Sequence, residues 1–315
     1  MSNPVKEVVK SGLESVRRYL SARQVKRSGE WHGRADLVCG LRDMGIEPGD
    51  TLFVHSSLRS IGYVEGGAET VIQALQDAVG RDGTVVIPTY YMPGGTIHGT
   101  CELKDYVFDP RKNGTHMGRI PEVFLTTPGI RRSIHPTHSV SAWGRHAQYL
   151  TESHHRAPSV FGVGSPWERV LGIPDAKVLG LGISMGPVTF YHVVEDSLGS
   201  DFPVAVWQDR TYALPCVDER GTVCTVPVRP FDPAVARRRI DHADREDLRQ
   251  FFWRDFQSQG LLSEGRVGSA NAWFVRANDF YERLVVLARH GITIYSTPEE
   301  LNAAGLAAPR QTPKG

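Results

Sequence analysis

The chain has 315 residues, 40% apolar and 23% charged, enough to bury a sizeable core. Lys and Arg number 36 against 35 Asp and Glu, a net charge of +1, which excludes a partner held by bulk charge such as a nucleic acid or an anionic membrane surface. Cys39, Cys101, Cys216 and Cys224 show no C-x-x-C spacing, and no run reaches the ~18 apolar residues of a membrane helix, so the sequence reads as a cytoplasmic protein in a reducing compartment.

Residues 1–30 are predicted to form a helical extension: Val9, Leu13, Val16 and Leu20 recur at helical spacing, without the apolar h-region of a secretory signal. Residues 34–44 space their apolar side chains as a helix, stopped by GIEPGD, and DTLFVHSS reads as a buried strand feeding a polar loop. GGAETVIQALQDAVG reads as a helix and RDGTVVIPTY as a turn with a β-branched strand. Strand, loop, helix, strand in that order favours a parallel crossover. Residues 92–116 hold Gly, Pro and polar residues without periodicity, too many for an idle connection, and are predicted to be a functional loop. MGRIPEVFLTT reads as a short helix and KVLGLGI as a third buried strand.

In the tail half, FPVAVWQDRTYALPCVDERGTVCTVPVR suggests antiparallel strands turning at DERG, and DLRQFFWRDFQSQ and ANDFYERLVVLARH read as helices. The Arg-rich run RPFDPAVARRRIDHADR, interleaved with acids and aromatics, reads as a solvated helix face. The expected fold is α/β: a mainly parallel central sheet with flanking helices, plus a C-terminal part with antiparallel strands and helices. The expected organisation is the extension, a single domain over 31–302 and a loose tail over 303–315.

In open α/β sheets, ligands gather where strands end and helix N-termini begin. Three polar clusters fall at such places: HSSLRSIGYVEGG with Ser56, Ser57 and Ser60; HPTHSVSAWG with His135, His138 and Ser139; and GPVTFYHVVED with His192 and Glu195. A helix starting near Pro187 or Val188 puts His192 and Glu195 at i, i+3 on one face, where the carboxylate can fix the imidazole tautomer for general-base work. A surface ion pair is the competing interpretation of the same spacing. His135 and His138 could join a metal site, but Pro136 disfavours the helix that would converge them, and no metal is expected. GISMG fits the G-x-S-x-G elbow of serine hydrolases, which makes Ser184 a candidate nucleophile with His242 or His290 as a distant base.

VHSSLRSIGYVEGGAETVIQAL, DGTVVIPTY, FDPRKNGTHMGRIPEVF, RSIHPTHSVSAWG, GSPWERV, KVLGLGISMGPVTFYHVVED and GRVGSANAWF follow one another in an order that resembles the aminoglycoside 3-N-acetyltransferase family, over about residues 34–290. The resemblance implies transfer of an acetyl group from acetyl-coenzyme A to a primary amine within a ternary complex, with neither a covalent acyl-enzyme nor a metal. It implies that His192 is the general base, with Glu195 as the matching acid and a further carboxylate among Asp241, Asp244 and Asp247. It places Ser56, Ser57, Leu58, Arg59 and Ser60, then Thr115 and Met117, then Thr137, His138 and Ser139 along the donor, in a coenzyme A-binding core over about 34–200 with an acceptor-side part over about 201–302.

The version HPTHS resembles relatives that do not act on aminoglycosides, and the near-neutral charge suits a less cationic acceptor. The expected partner is a small-molecule amine, with room for a homodimer. An acyl hydrolase using Ser184 and a coenzyme A-binding protein without turnover are the alternatives.

Overall fold

The structure, a computed structural model, describes residues 31–303; the helix expected over 1–30 and nearly all of the expected tail lie outside the described residues. In chain order the elements are β1 (Trp31–His32), α1 (Arg34–Asp43), β2 (Thr51–Ser56), β3 (Tyr63–Val64), α2 (Ala68–Val79), β4 (Thr84–Pro88), α3 (Ile97–Cys101), α4 (Arg119–Phe124), β5 (Arg131–Arg132), β6 (Val140–Gly144), α5 (Ala147–Thr151), α6 (Pro166–Leu171), β7 (Lys177–Leu181) and α7 (Val193–Leu198). The tail half adds β8 (Tyr212–Val217), β9 (Val223–Val228), α8 (Pro233–Ala236), α9 (Glu246–Ser258), β10 (Ser263–Val267), β11 (Ala270–Arg276), α10 (Ala277–Arg289) and α11 (Pro298–Ala303).

Seven strands form the central sheet in the order β10-β11-β7-β2-β4-β6-β5. The α/β class holds, but the parallel part is confined to β7, β2 and β4; every other pairing in this sheet is antiparallel. Both faces are covered, which is why the middle strands read as unbroken apolar runs. Phe53, Val86 and Val178 point into one core with Trp167, Phe190 and Phe280, while Leu52, Val54, Val85, Ile87 and Leu179 point into the other, under α1 and α2.

The predicted hairpin is β8 and β9, turning over Asp218–Thr222. It packs on the 92–116 segment through a satellite cluster that includes Ile97, Phe108, Leu214 and Val226, so that loop is built rather than idle. The tail half is not a separate layer: β10 and β11 extend the sheet beside β7, with Trp273 opposite Gly180. A Cβ on Gly180 would fall 2.1 Å from the Trp273 ring, so only glycine admits the indole there. Trp273 Nε1–H in turn donates to the carbonyl of Ile183 (2.9 Å), tying down the chain as it leaves β7.

Candidate active site

Strands β2, β4 and β7 run in one direction and end at Ser56, Pro88 and Leu181. A cleft of about 640 Å³ opens at this edge. Tyr90 and Met92 beyond β4, residues 95–98, residues 186–192 beyond β7, and the stretch 230–242 wall it. This is the position where open α/β sheets collect ligands.

The segment leaving β7 remains extended at Val188, makes a 3₁₀ turn over Thr189–His192, and only then becomes α7. The helix therefore starts later than Pro187, yet the i, i+3 relation survives the turn. His192 Nδ1 lies 2.9 Å from Glu195 Oε1, and the Tyr295 hydroxyl donates to the same oxygen at 2.7 Å. Glu195 is 3% exposed and its Oε2 has no hydrogen-bond partner among the described residues, so its hydrogen bonds go to one imidazole and one phenol. Burial first, and then the neighbouring Glu195 charge, push the Tyr295 phenol well above its ordinary range; it stays a donor.

A carboxylate accepting from Nδ1–H fixes the tautomer with Nε2 free as a base, and His192 itself lines the cleft. Phe161 stacks on the ring (centroids 4.9 Å, 30°) and Phe231 lies at 5.1 Å. Asp196, on the same helix, accepts from Phe161 N–H (2.8 Å) and Trp207 Nε1–H (3.1 Å), which holds that aromatic wall. From behind, Thr189 N–H donates to His55 Nε2 at 3.1 Å and the Thr189 hydroxyl lies 2.9 Å from the same nitrogen. His55 is buried, and burial pulls its pKa down to about 3, so it serves as a neutral acceptor that pins the turn.

None of Asp241, Asp244 and Asp247 hydrogen-bonds the imidazole. Asp247 is held by Arg245 (3.0 and 3.1 Å), Asp244 is exposed, and Asp241 lines the cleft but is gripped by Arg239 in two 2.7 Å bonds. The third member of the chain is instead Tyr295, which bonds Glu195 and not the imidazole. It sits 100 residues from Glu195 in the chain, in no motif, so no spacing signal pointed to it.

The HPTHS segment is an interior turn. His135 Nδ1 accepts from the backbone N–H of Thr137 (3.3 Å) and His138 (3.0 Å) and its ring stacks on His154, while His138 faces the cleft against Tyr90. Thr137 and Ser139 are fully buried. Thr137 meets His138 Nδ1 at 2.8 Å; Ser139 donates to Thr89 carbonyl (2.8 Å) and accepts from Arg132 Nε (3.0 Å). Both hydroxyls are thus engaged within the fold beneath the cleft.

Thr115 donates to the Tyr90 carbonyl (2.9 Å) and accepts from Met117 N–H (3.2 Å), which brings Met117 into the wall. Ser57 and Ser60 bond to one another (3.0 Å), Arg59 is exposed, Leu58 packs on the core under α2, and Ser56 Oγ is buried without a partner among the described residues.

Ser184 is exposed, and its hydroxyl accepts only from Gly186 N–H at 3.3 Å; among the described residues no histidine bonds it. His290 is exposed and bonds the Val286 carbonyl (2.8 Å). Gly182 at the head of GISMG has φ +71°, and a Cβ there would strike Ser60, so the glycine serves the approach of the Ser57–Ser60 turn. Among the described residues no three His, Cys, Asp or Glu side chains group as a metal site.

The Arg-rich run is only in part a solvated face, with Arg229 and Arg237 exposed. Arg237 and Arg239 line the cleft, and Arg245 is buried with its guanidinium on Asp247 and on the carbonyls of Arg238 and Ser296. Within it Pro233–Ala236 is helical, capped at its start by Asp232.

A family model described as aminoglycoside 3-N-acetyltransferase matches residues 53–288. The chain belongs to that family. The aminoglycoside N(3)-acetyltransferase III of Salmonella sp is 32% identical over 258 residues, 79% of this chain and 88% of that protein. The crystal structure of aminoglycoside acetyltransferase AAC(3)-Xa superposes with a TM-score of 0.72 at 27% identity, covering 88% of this chain and 99% of that one. AAC-IIIb in a binary complex with CoASH has the same fold, with a TM-score of 0.69 at 24% identity over 85% of this chain and 100% of that one. This aminoglycoside 3-N-acetyltransferase-like enzyme has among its described residues no helix long and apolar enough to cross a membrane.

Proposed function

We propose that this member of the aminoglycoside 3-N-acetyltransferase family moves an acetyl group from acetyl-coenzyme A directly to a primary amine, with His192 as general base. The observation that carries this is the Tyr295–Glu195–His192 chain ending at a cleft-facing imidazole. The relative crystallised with CoASH supports the choice of donor. Acetyl-coenzyme A supplies an activated acyl thioester.

The residues do the rest. An ammonium of pKa near ~10 has no lone pair to attack with, so at neutral pH a proton must leave first. That first proton goes to solvent; as the neutral nitrogen attacks, His192 Nε2 takes a second proton from it, and Glu195 stabilises the imidazolium so formed. As the C–N bond forms and the C–S bond breaks, the proton on His192 is placed to return to the departing sulfur. Ser56, Ser57, Leu58, Arg59, Ser60, Thr115, Met117 and His138 are proposed along the donor. The unpartnered Ser56 hydroxyl at the end of β2 fits that role, and the buried Thr137 and Ser139 back it.

Thiol release from acetyl-coenzyme A, followed with a panel of amines, tests this reading. His192→Ala is expected to lower turnover by about a hundred- to ten-thousandfold while donor binding persists, and Ser184→Ala to leave turnover unchanged. Full activity of His192→Ala, or loss of activity on removing only the Ser184 hydroxyl, rules the mechanism out.

A further inference from the structure

The acceptor wall is cationic where a pocket for polycations needs carboxylates. Arg237 and Arg239 line the cleft, and Asp241 is the one carboxylate that does so among the described residues. Asp241 is not free to receive an ammonium. Arg239 holds it through Nε and Nη2, and although burial works the other way, that grip keeps the Asp241 carboxyl below its usual range. Arg237 pairs with no carboxylate among the described residues, and Arg239 keeps Nη1 uncommitted.

The arginines are also placed relative to the base. Phe231 lies between, with the His192 ring centroid at 5.1 Å and the Arg239 guanidinium carbon at 5.4 Å from its own centroid. No more than two such spans separate imidazole and guanidinium. The aromatic face also fixes the guanidinium plane, which favours planar recognition of an oxyanion.

We propose that the acceptor is a primary amine that also carries an oxyanion, a carboxylate or a phosphate, a few bonds from its nitrogen, with Arg237 and Arg239 holding the oxyanion while His192 takes the amine proton. Guanidinium forks suit both anions, and Arg237, without a carboxylate partner among the described residues, repels an acceptor with several ammonium groups. This rests on the acetyl-transfer reading and narrows its substrate.

The test uses matched short aminoalkyl compounds ending in methyl, ammonium, carboxylate or phosphate, together with kanamycin. Both acetyl transfer and calorimetric binding are measured. The oxyanion-bearing amines are expected to exceed the methyl-ended one by about ten- to a hundredfold in kcat/KM, with the diamine and kanamycin the poorest. The carboxylate and phosphate arms decide which anion is preferred. Arg237→Glu should abolish that advantage and raise the diamine, with KM for acetyl-coenzyme A unchanged. Fastest transfer to kanamycin or the diamine overturns the charge preference and leaves acetyl transfer standing. So does an Arg237→Glu effect confined to the KM for acetyl-coenzyme A, which would give the arginines to the donor phosphates. Arg237-dependent binding of the oxyanion amines without any acetylation overturns acetyl transfer instead, and with it their role as acceptors.

Discussion

The Tyr295 hydroxyl donates to Glu195 Oε1 at 2.7 Å, on the oxygen that also faces His192 Nδ1. Two donors on one oxygen fix the carboxylate, and the carboxylate fixes the imidazole, so under the proposed mechanism Tyr295 acts on His192 through Glu195. Tyr295→Phe keeps the ring and deletes the bond. We expect kcat to fall by about three- to thirtyfold, as a lost hydrogen bond to a charged group of ~1 kcal/mol or more predicts, with donor KM nearly unchanged. Glu195→Gln should remove most of the effect of a second Tyr295→Phe change. Equal losses from Tyr295→Phe in the wild type and the Glu195→Gln background would show that the two do not act as one unit.

The His192–Glu195 contact was legible because i, i+3 spacing survives whether the turn is α or 3₁₀. Tyr295 was not, because tertiary folding alone brings the segment after α10 under α7. The strands β2, β4 and β7 were legible from their apolar runs. Their parallel core was foreseen, but β6 and β11 join antiparallel, and a strand buried on both faces has the same periodicity whichever way it runs. The run at 229–245 was misjudged in part for a related reason: interleaved charge patterns look solvated, and Arg229 and Arg237 are exposed, yet Arg245 is buried with its guanidinium fully employed. What sequence spacing does not carry is partner choice across the fold.

Stability should fall steeply in acid. His55, His135, His138 and His154 are buried, and burial foremost lowers all four: His55 and His154 to about 3, His135 and His138 well below the ordinary value. Each is neutral when folded and binds a proton at ~6.5 when unfolded, so the unfolded chain holds more protons below that pH. Their contribution is whole above ~6.5 and is lost as pH falls toward the folded values, at up to ~1.4 kcal/mol per histidine per pH unit. Urea midpoints at pH 7.5, 6.0 and 5.0 check this. A midpoint that stays level from 7.5 to 5.0 contradicts it.

Arg132 should be the clasp of the 92–116 loop. Its Nη2 donates to the carbonyls of Thr89 (2.7 Å) and Gly114 (2.8 Å), Nη1 to those of Pro110 (3.4 Å) and Asn113, and Nε to Ser139. Burial lowers its pKa only to about 10, so it stays charged. Arg132→Met leaves several carbonyls without a donor and should cost about 3 kcal/mol or more, with faster proteolytic nicking between residues 104 and 114. Arg132→Lys should recover only part, since one ammonium cannot reproduce the fork. Unchanged nicking in the Met variant would assign the loop's order to the Ile97 and Phe108 cluster instead.

Gly180→Ala tests whether the sheet sets the site. The new methyl would fall 2.1 Å from the Trp273 ring in the strand pair beside β7. Relief requires the indole to turn, and turning it breaks Nε1–H to the Ile183 carbonyl, the bond that anchors the approach to Thr189 and His192. We expect a loss of about 1–3 kcal/mol, as overpacking in a filled core gives, with kcat falling further than any change in donor affinity. Trp273→Phe in the Gly180 parent removes the bond without the clash and separates the two causes: a fall in kcat there assigns the effect to the anchor, whereas a loss of stability alone assigns it to packing.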